Sequence, residues 1–244
     1  MKHSVFVIAA SLCLSVNLFS AVISEDFNAD TPGEAPRSLT TREGDITVVD
    51  ASTNPVDPFG PAENHSMAIR KIASGDGVPR ATWKQIDFPT HGKLTLTAYS
   101  VSDEEKPNPQ LNIFLIKDDI NNIAISLFFL GSDAYVGNGS DYLTVEGVWI
   151  LNAANEVVIE YFSNYTYSIF INGTILETSG GQTIFAFTNE IGDFNALQFA
   201  TASTKRSGSE VFINDFEVTA VPEVSALSML LFGSGLVGIF LVRR

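Results

Sequence analysis

Thr166-Tyr167-Ser168-Ile169-Phe170-Ile171-Asn172, then Gly173, then Thr174-Ile175-Leu176-Glu177-Thr178 is the stretch whose reading decides the fold. Side chains of an extended chain point alternately to opposite faces, so short runs rich in β-branched and aromatic residues read as strands. Asn-Gly tolerates the left-handed conformation that a two-residue hairpin turn demands at both of its central positions. The stretch therefore predicts two antiparallel strands meeting at Asn172-Gly173. Immediately upstream, Glu156 to Phe162 supplies a third run of the same kind.

The pattern recurs on both sides. Asp45 to Asp50 reads as a short strand, and Ser66 to Ile72, with Met67, Ile69 and Lys71 alternating against Ala68, Arg70 and Ile72, as an edge strand. Arg80 to Phe88 reads as extended. Gly92 to Val101 sets Leu94, Leu96 and Ala98 against Lys93, Thr95 and Thr97. Leu111 to Ile116 and Ile123 to Leu130 form a hairpin around Lys117 to Asn122; Gly131 to Asp141 reads as a loop and Tyr142 to Ile150 as a strand. Leu197 to Ala202 and Glu210 to Val218 complete the set. Nowhere between Glu25 and Ala220 do apolar residues recur at helical spacing for more than two turns. About a dozen short strands divided by turn residues mean an all-β domain, a β-sandwich or jelly roll. No repeat or linker divides it, so residues 25–220 form one domain.

Composition narrows the chemistry. Residues 25–220 hold 27 acidic and 11 basic side chains, a net charge of −16. That balance argues against nucleic acid and against anionic polysaccharide held by charge attraction. Cys13, the one cysteine, lies in the N-terminal apolar segment, which excludes disulfides, thiol nucleophiles and thiolate metal sites from the domain. His65 and His91 are its two histidines, and neither belongs to a His-Glu-x-x-His pattern; no Gly-x-Ser-x-Gly elbow occurs. The expectation is a non-enzymatic protein.

Both ends carry targeting signals. Met1-Lys2-His3 followed by the apolar stretch Val5 to Phe19 reads as a secretory signal peptide over residues 1–24, with Val22 and Ser24 as the small pair before the cut; cleavage after Ser20 is the alternative. At the other end, Val221-Pro222-Glu223-Val224 leads into an uncharged run to Val242, closed by Arg243-Arg244. As a helix that run covers roughly 28 Å, close to the hydrocarbon core of a bilayer, and the two arginines form its cytoplasmic stop. The order of parts over residues 221–244 resembles the PEP-CTERM sorting signal, with Val224 standing where the usual motif has a second proline. The resemblance implies processing near Pro222-Glu223 by an exosortase, an inner-membrane stage through the C-terminal helix, and delivery to the envelope, cell surface or extracellular matrix of a Gram-negative bacterium.

A second resemblance rests on Glu25-Asp26-Phe27, on the pair Glu156–Tyr161 and Tyr167–Gly173, and on Val211-Phe212-Ile213-Asn214-Asp215-Phe216-Glu217-Val218. Together they look like a laminin-G-like, concanavalin A-like jelly roll, a fold of lectins, carbohydrate-binding modules and adhesins. It implies a calcium ion where the first and last strands meet, held by Glu25, Asp26 and Asp215 with Asp50 as neighbour; calcium takes six to eight oxygens. The alternative is that these acids cap turns and strand ends. The glycosidase motif Glu-x-Asp-x-Glu known on this fold does not occur. Glycan binding calls for aromatic platforms, and Tyr135, Tyr142, Trp149 and Tyr165 lie in or near loops; Trp149, like Trp83, also suits a core. The expected role is glycan-binding or adhesive, with extracellular polysaccharide as partner. The alternatives are a glycan-active hydrolase or lyase, and a purely structural matrix protein.

Overall fold

At Asn172-Gly173 the backbone has φ of 51° and 76°, the paired positive values of a type I′ turn. Through it, β12 (Thr166–Ile171) joins the two-residue β13 (Thr174–Ile175), with Ile171 opposite Thr174. On its other side β12 pairs with β11 (Asn155–Phe162), setting Val157 against Ile171, Ile159 against Ile169 and Tyr161 against Tyr167. All six of these side chains are buried, so one face of this ladder faces the core.

The computed structural model describes residues 21–50, 65–71, 77–102, 109–118, 121–188, 194–201 and 209–221. Among them the chain forms sixteen strands and no helix, arranged as two antiparallel sheets. The first continues from β11 to β6 (Gly92–Ser100), β16 (Ser209–Ala220), β4 (Ser66–Lys71) and β3 (Asp45–Val49). Here β1 (Ala21–Glu25) lies beside the later half of β16, and β14 (Phe185–Ala186) beside β12. The second sheet runs β10 (Asp141–Val145), β9 (Asp133–Asn138), β8 (Ile123–Leu130), β7 (Gln110–Ile116), β15 (Ala196–Thr201), β5 (Arg80–Lys84) and β2 (Thr41–Glu43).

The sheets bury their facing apolar rows against each other, the packing a sandwich requires. At the centre, Trp83 of β5 meets Phe216 of β16 edge-on at 4.7 Å, and Phe199 closes on both at 5.8 and 5.4 Å. Trp83 Nε1 donates to Ser38 Oγ at 3.0 Å, so the ring is buried without an orphaned donor. The sandwich expected from strand patterning is the fold observed.

Four boundaries differ from the sequence reading. The segment 131–141 is not a loop: it holds β9, whose only inward apolar side chains are Ala134 and Val136, too weak an alternation to stand out. β4 is not an edge strand but lies between β16 and β3, and Ala68 on its second face is buried with Val49, Tyr99 and Phe212 in a second apolar cluster. The run 142–150 keeps strand geometry only to Val145. The short strands β2 and β14 carry no sequence signal of their own.

Candidate functional site

The outer face of the second sheet collects the aromatic residues that the core leaves out. Alternation along β8 turns Leu127 and Phe129 inward and Ser126 and Phe128 outward; along β9 it turns Val136 inward and Tyr135 outward. Register then makes rows across the strands. One row runs Ala200, Asn112, Phe128, Tyr135 and Thr144, and the next runs Thr82, Gln198, Phe114 and Ser126. Tyr142, opposite Gly137, continues this second row.

Phe128 and Tyr135 stack at 4.6 Å with their planes 3° apart. That spacing equals the distance between neighbouring strands, so the two rings stand upright on the sheet. Tyr142, about half exposed, meets Phe128 edge-on at 5.4 Å, and its hydroxyl lies 3.1 Å from Ser126 Oγ. The result is an aromatic ridge three rings wide. Beside it lie two buried amides: Asn112, whose Oδ1 accepts from Gln110 Nε2 at 2.9 Å, and Gln198. Gln198 Oε1 accepts from Thr82 Oγ1 at 3.5 Å, while its buried Nε2 has no hydrogen-bond partner among the described residues. An unpaired buried donor is costly and gains from any ordered water that completes it.

Of the four aromatics expected to meet glycan, Tyr135 and Tyr142 share this ridge. Trp149 does not: it is 2% exposed and packs on Phe129 at 4.1 Å, because its large apolar surface stabilises more inside the sandwich than outside. Tyr165 is half exposed but sits elsewhere, in the turn from β11 to β12. Phe128, Asn112 and Gln198 were not anticipated. The signal was available for Phe128, the one outward ring in an otherwise apolar strand; Gln198 acquires meaning only from its neighbours.

The carboxylates expected to hold calcium are only partly gathered. β1 and β16 do meet, with Glu25 opposite Phe216, and this brings Asp26 to the level of Asp215. However, Glu25 Oε1 accepts from Phe27 N at 3.2 Å and Asp26 Oδ1 from Asn28 N at 3.1 Å. Both are turn caps, the alternative the sequence left open. Asp215 is exposed on the outer face, and Asp50 ends the strand segment after β3. Among the described residues no group of three or more His, Cys, Asp or Glu side chains is placed to hold a metal ion. Glu25 and Asp26 thus already serve as turn caps beside the exposed Asp215.

The histidines are held by their surroundings. His91 Nε2 lies 3.5 Å from Glu160 Oε1 and its ring 5.1 Å from Phe162, while His65 Nδ1 lies 3.3 Å from the carbonyl of Phe27. Two phenols have pKa values pushed above the ordinary range by burial: Tyr161, and Tyr167, whose hydroxyl donates to the carbonyl of Gly137. Val221 N donates to the carbonyl of His91 at 3.0 Å; Pro222, Glu223, Val224, Arg243 and Arg244 lie outside the described residues, as does the segment before Ala21.

No model of a known protein family matches the chain, and neither does the sequence of any curated protein. Solved structures do match. A carbohydrate esterase from a Shiga toxin-encoding bacteriophage gives a TM-score of 0.60 at 12% identity, over 84% of this chain and 100% of the other. The receptor-binding domain of a botulinum neurotoxin C/D mosaic serotype gives 0.54 at 10% identity, over 88% of this chain and 51% of that one. The binding domain of the serotype G neurotoxin gives 0.51 at 12%, with the same coverage of 88% and 51%. The chain thus spans about half the length of the toxin domains. At these identities the likeness shows a fold, an all-β sandwich of two antiparallel sheets.

Proposed function

We propose that this is a secreted, non-enzymatic β-sandwich protein of the cell envelope or exopolysaccharide matrix, and that it binds glycan on the outer face of its second sheet. The observation that carries the reading is the ridge of Phe128, Tyr135 and Tyr142 beside the Asn112 and Gln198 amides. Sugar rings present apolar C–H faces to aromatic side chains and hydroxyls to amides, and this surface offers both within two neighbouring rows. The acidic surface favours uncharged over anionic chains. A bacteriophage carbohydrate esterase built on the same architecture supports a glycan context. The sorting part of the proposal rests on the sequence of Val221 to Arg244, with an exosortase-type protease as the processing partner.

The test is a glycan array on the purified mature domain, run beside reducing-sugar and ester-hydrolysis assays on the same polysaccharides. Binding without turnover is expected. Tyr142→Ala and Phe128→Ala should each weaken it by roughly tenfold, the loss expected for about 1.4 kcal/mol of aromatic contact, with little change in melting temperature. Turnover of a bound polysaccharide would replace this reading with a glycan-active enzyme. A flat array would leave a structural matrix protein. Deleting Val221–Arg244 should change the protein's location on cell fractionation; an unchanged location overturns the sorting proposal.

A further inference from the structure

One end of the sandwich carries a cavity that the ridge does not use. It measures about 330 Å³ and is walled by Phe88, Tyr161, Tyr165, Phe187 and Phe194, with Asp87 at its side. Four of the walls come from connections and strand ends of both sheets: the segment after β5, the end of β11, the turn into β12 and the start of β15. The rings hold each other edge-on. Phe88 lies 4.8 Å from Phe194, Tyr161 lies 5.0 Å from Phe194, and Phe187 links Phe194 at 6.0 Å to Tyr165 at 6.1 Å. A cavity of that volume suits a single small molecule.

Tyr161, 1% exposed, serves the cavity as apolar wall rather than through its hydroxyl, which is sealed inside the sandwich. One further observation points to an occupant. Tyr165 has φ of 61°, a conformation that suits glycine or asparagine and strains a bulky residue, yet its ring stands about half exposed at the cavity. Its backbone is pinned there, with Tyr165 N donating to Phe162 O at 3.2 Å and Phe187 N donating to Tyr165 O at 2.9 Å. An aromatic ring kept where glycine would fold more easily is evidence for a role of the ring.

We propose that this end cavity is a second binding site, and that it takes one uncharged sugar residue, the terminal unit of a glycan chain. Tyr165 stacks on the apolar face of the sugar. The Asp87 carboxylate bonds its hydroxyls, with Thr90 and Ser163 also on the wall. A compact pocket at the end of the sandwich takes a chain end, whereas the open sheet face accommodates a chain along its length. Asp87 disfavours uronic acids by like charge. The inference rests on the glycan reading above but on a different site.

Saturation-transfer NMR with methyl glycosides of glucose, galactose, mannose and N-acetylglucosamine tests it, with methyl glucuronide as the charged control. At least one uncharged glycoside should show transfer, the glucuronide should show markedly less, and Asp87→Asn should narrow that gap. Tyr165→Gly should relieve the backbone strain and hold or raise the melting temperature while weakening the glycoside by roughly tenfold. Tyr142→Ala, on the sheet face, should leave glycoside binding unchanged. Glycoside binding that survives Tyr165→Gly overturns the end site, as does no transfer from any uncharged glycoside. If such binding is instead lost in Tyr142→Ala, the sheet-face reading stands alone. Equal transfer from the glucuronide overturns the assignment to uncharged sugars.

Discussion

Gly173 shows how much one residue decides. Its φ of 76° is left-handed, and a Cβ built there meets nothing within 4 Å, so any penalty for a side chain is purely conformational. Gly173→Ala should therefore cost about 1 kcal/mol, lowering the melting temperature by roughly 2–4 °C with no change in the packed core. A larger loss would mean that the turn does more than reverse the chain. Asp26 makes a similar argument for the other end of the domain. As the cap on Asn28 N it should stabilise by about 1 kcal/mol whether or not calcium is present, so Asp26→Ala should lower the melting temperature equally in EDTA and in millimolar calcium. A calcium-dependent rise of several degrees, abolished by Asp215→Ala, would instead establish the metal site. The two carboxylates were visible in the sequence; which partner each takes was not, because a carboxylate two residues before a free backbone N–H caps a turn whatever the family resemblance implies. The same limit applied to Phe128. Its residue type was plain, but its orientation depended on the register of β8 against β9.

Among the elements, those that carried their own chemistry were legible and those that borrowed it were not. β6 alternates through nine residues and β12 ends in Asn-Gly, and both stand where the pattern put them. β9 has the same turn dipeptide after it, Asn138-Gly139, with Gly139 at φ of 63°, but two small inward residues gave it no visible face. β4 was misjudged because the second apolar cluster that buries its outer side comes from β3, β6 and β16. β1 bears on processing. It pairs Ala21 with Thr219, Ile23 with Val218 and Ser24 with Glu217, so a cut after Ser24 would remove all of these residues and leave only Glu25 of β1. Cleavage after Ser20 keeps these pairs. Intact mass of the secreted protein should therefore place the mature N-terminus at Ala21. A domain started at Glu25 should melt lower by roughly 2–8 °C, the equivalent of about 1–2 kcal/mol of lost pairing and partial Ile23 burial. A mature N-terminus at Glu25, with stability equal to the longer form, would contradict this account.

For the whole molecule, the sandwich makes stability depend on alkaline pH through phenols that cannot ionise in place. Tyr161 and Tyr167 are 1% and 0% exposed, and burial in the core raises both pKa values above the ordinary one. In the unfolded chain each loses its proton near pH ~10, while the folded protein keeps it. Above that point the unfolded state binds fewer protons, so stability falls as pH rises. Below about pH 10 the contribution is complete and flat; through the window between the unfolded and folded values each phenol removes about 1.4 kcal/mol per pH unit. Tyr161→Phe isolates one of them. Its hydroxyl has no hydrogen-bond partner among the described residues, so the variant should be as stable as the parent at pH 8 or more so. Between about pH 10 and pH 11 its denaturation free energy should fall less than the parent's by roughly 1 kcal/mol, because half of the unfolded phenol is already ionised at the start of that interval. Urea titrations at four pH values would read this directly. Other groups that titrate in that range are common to both proteins and cancel in the difference. Identical slopes would mean that the Tyr161 hydroxyl reaches solvent in the folded state, and a matching loss of stability at pH 8 would mean that it has a partner after all.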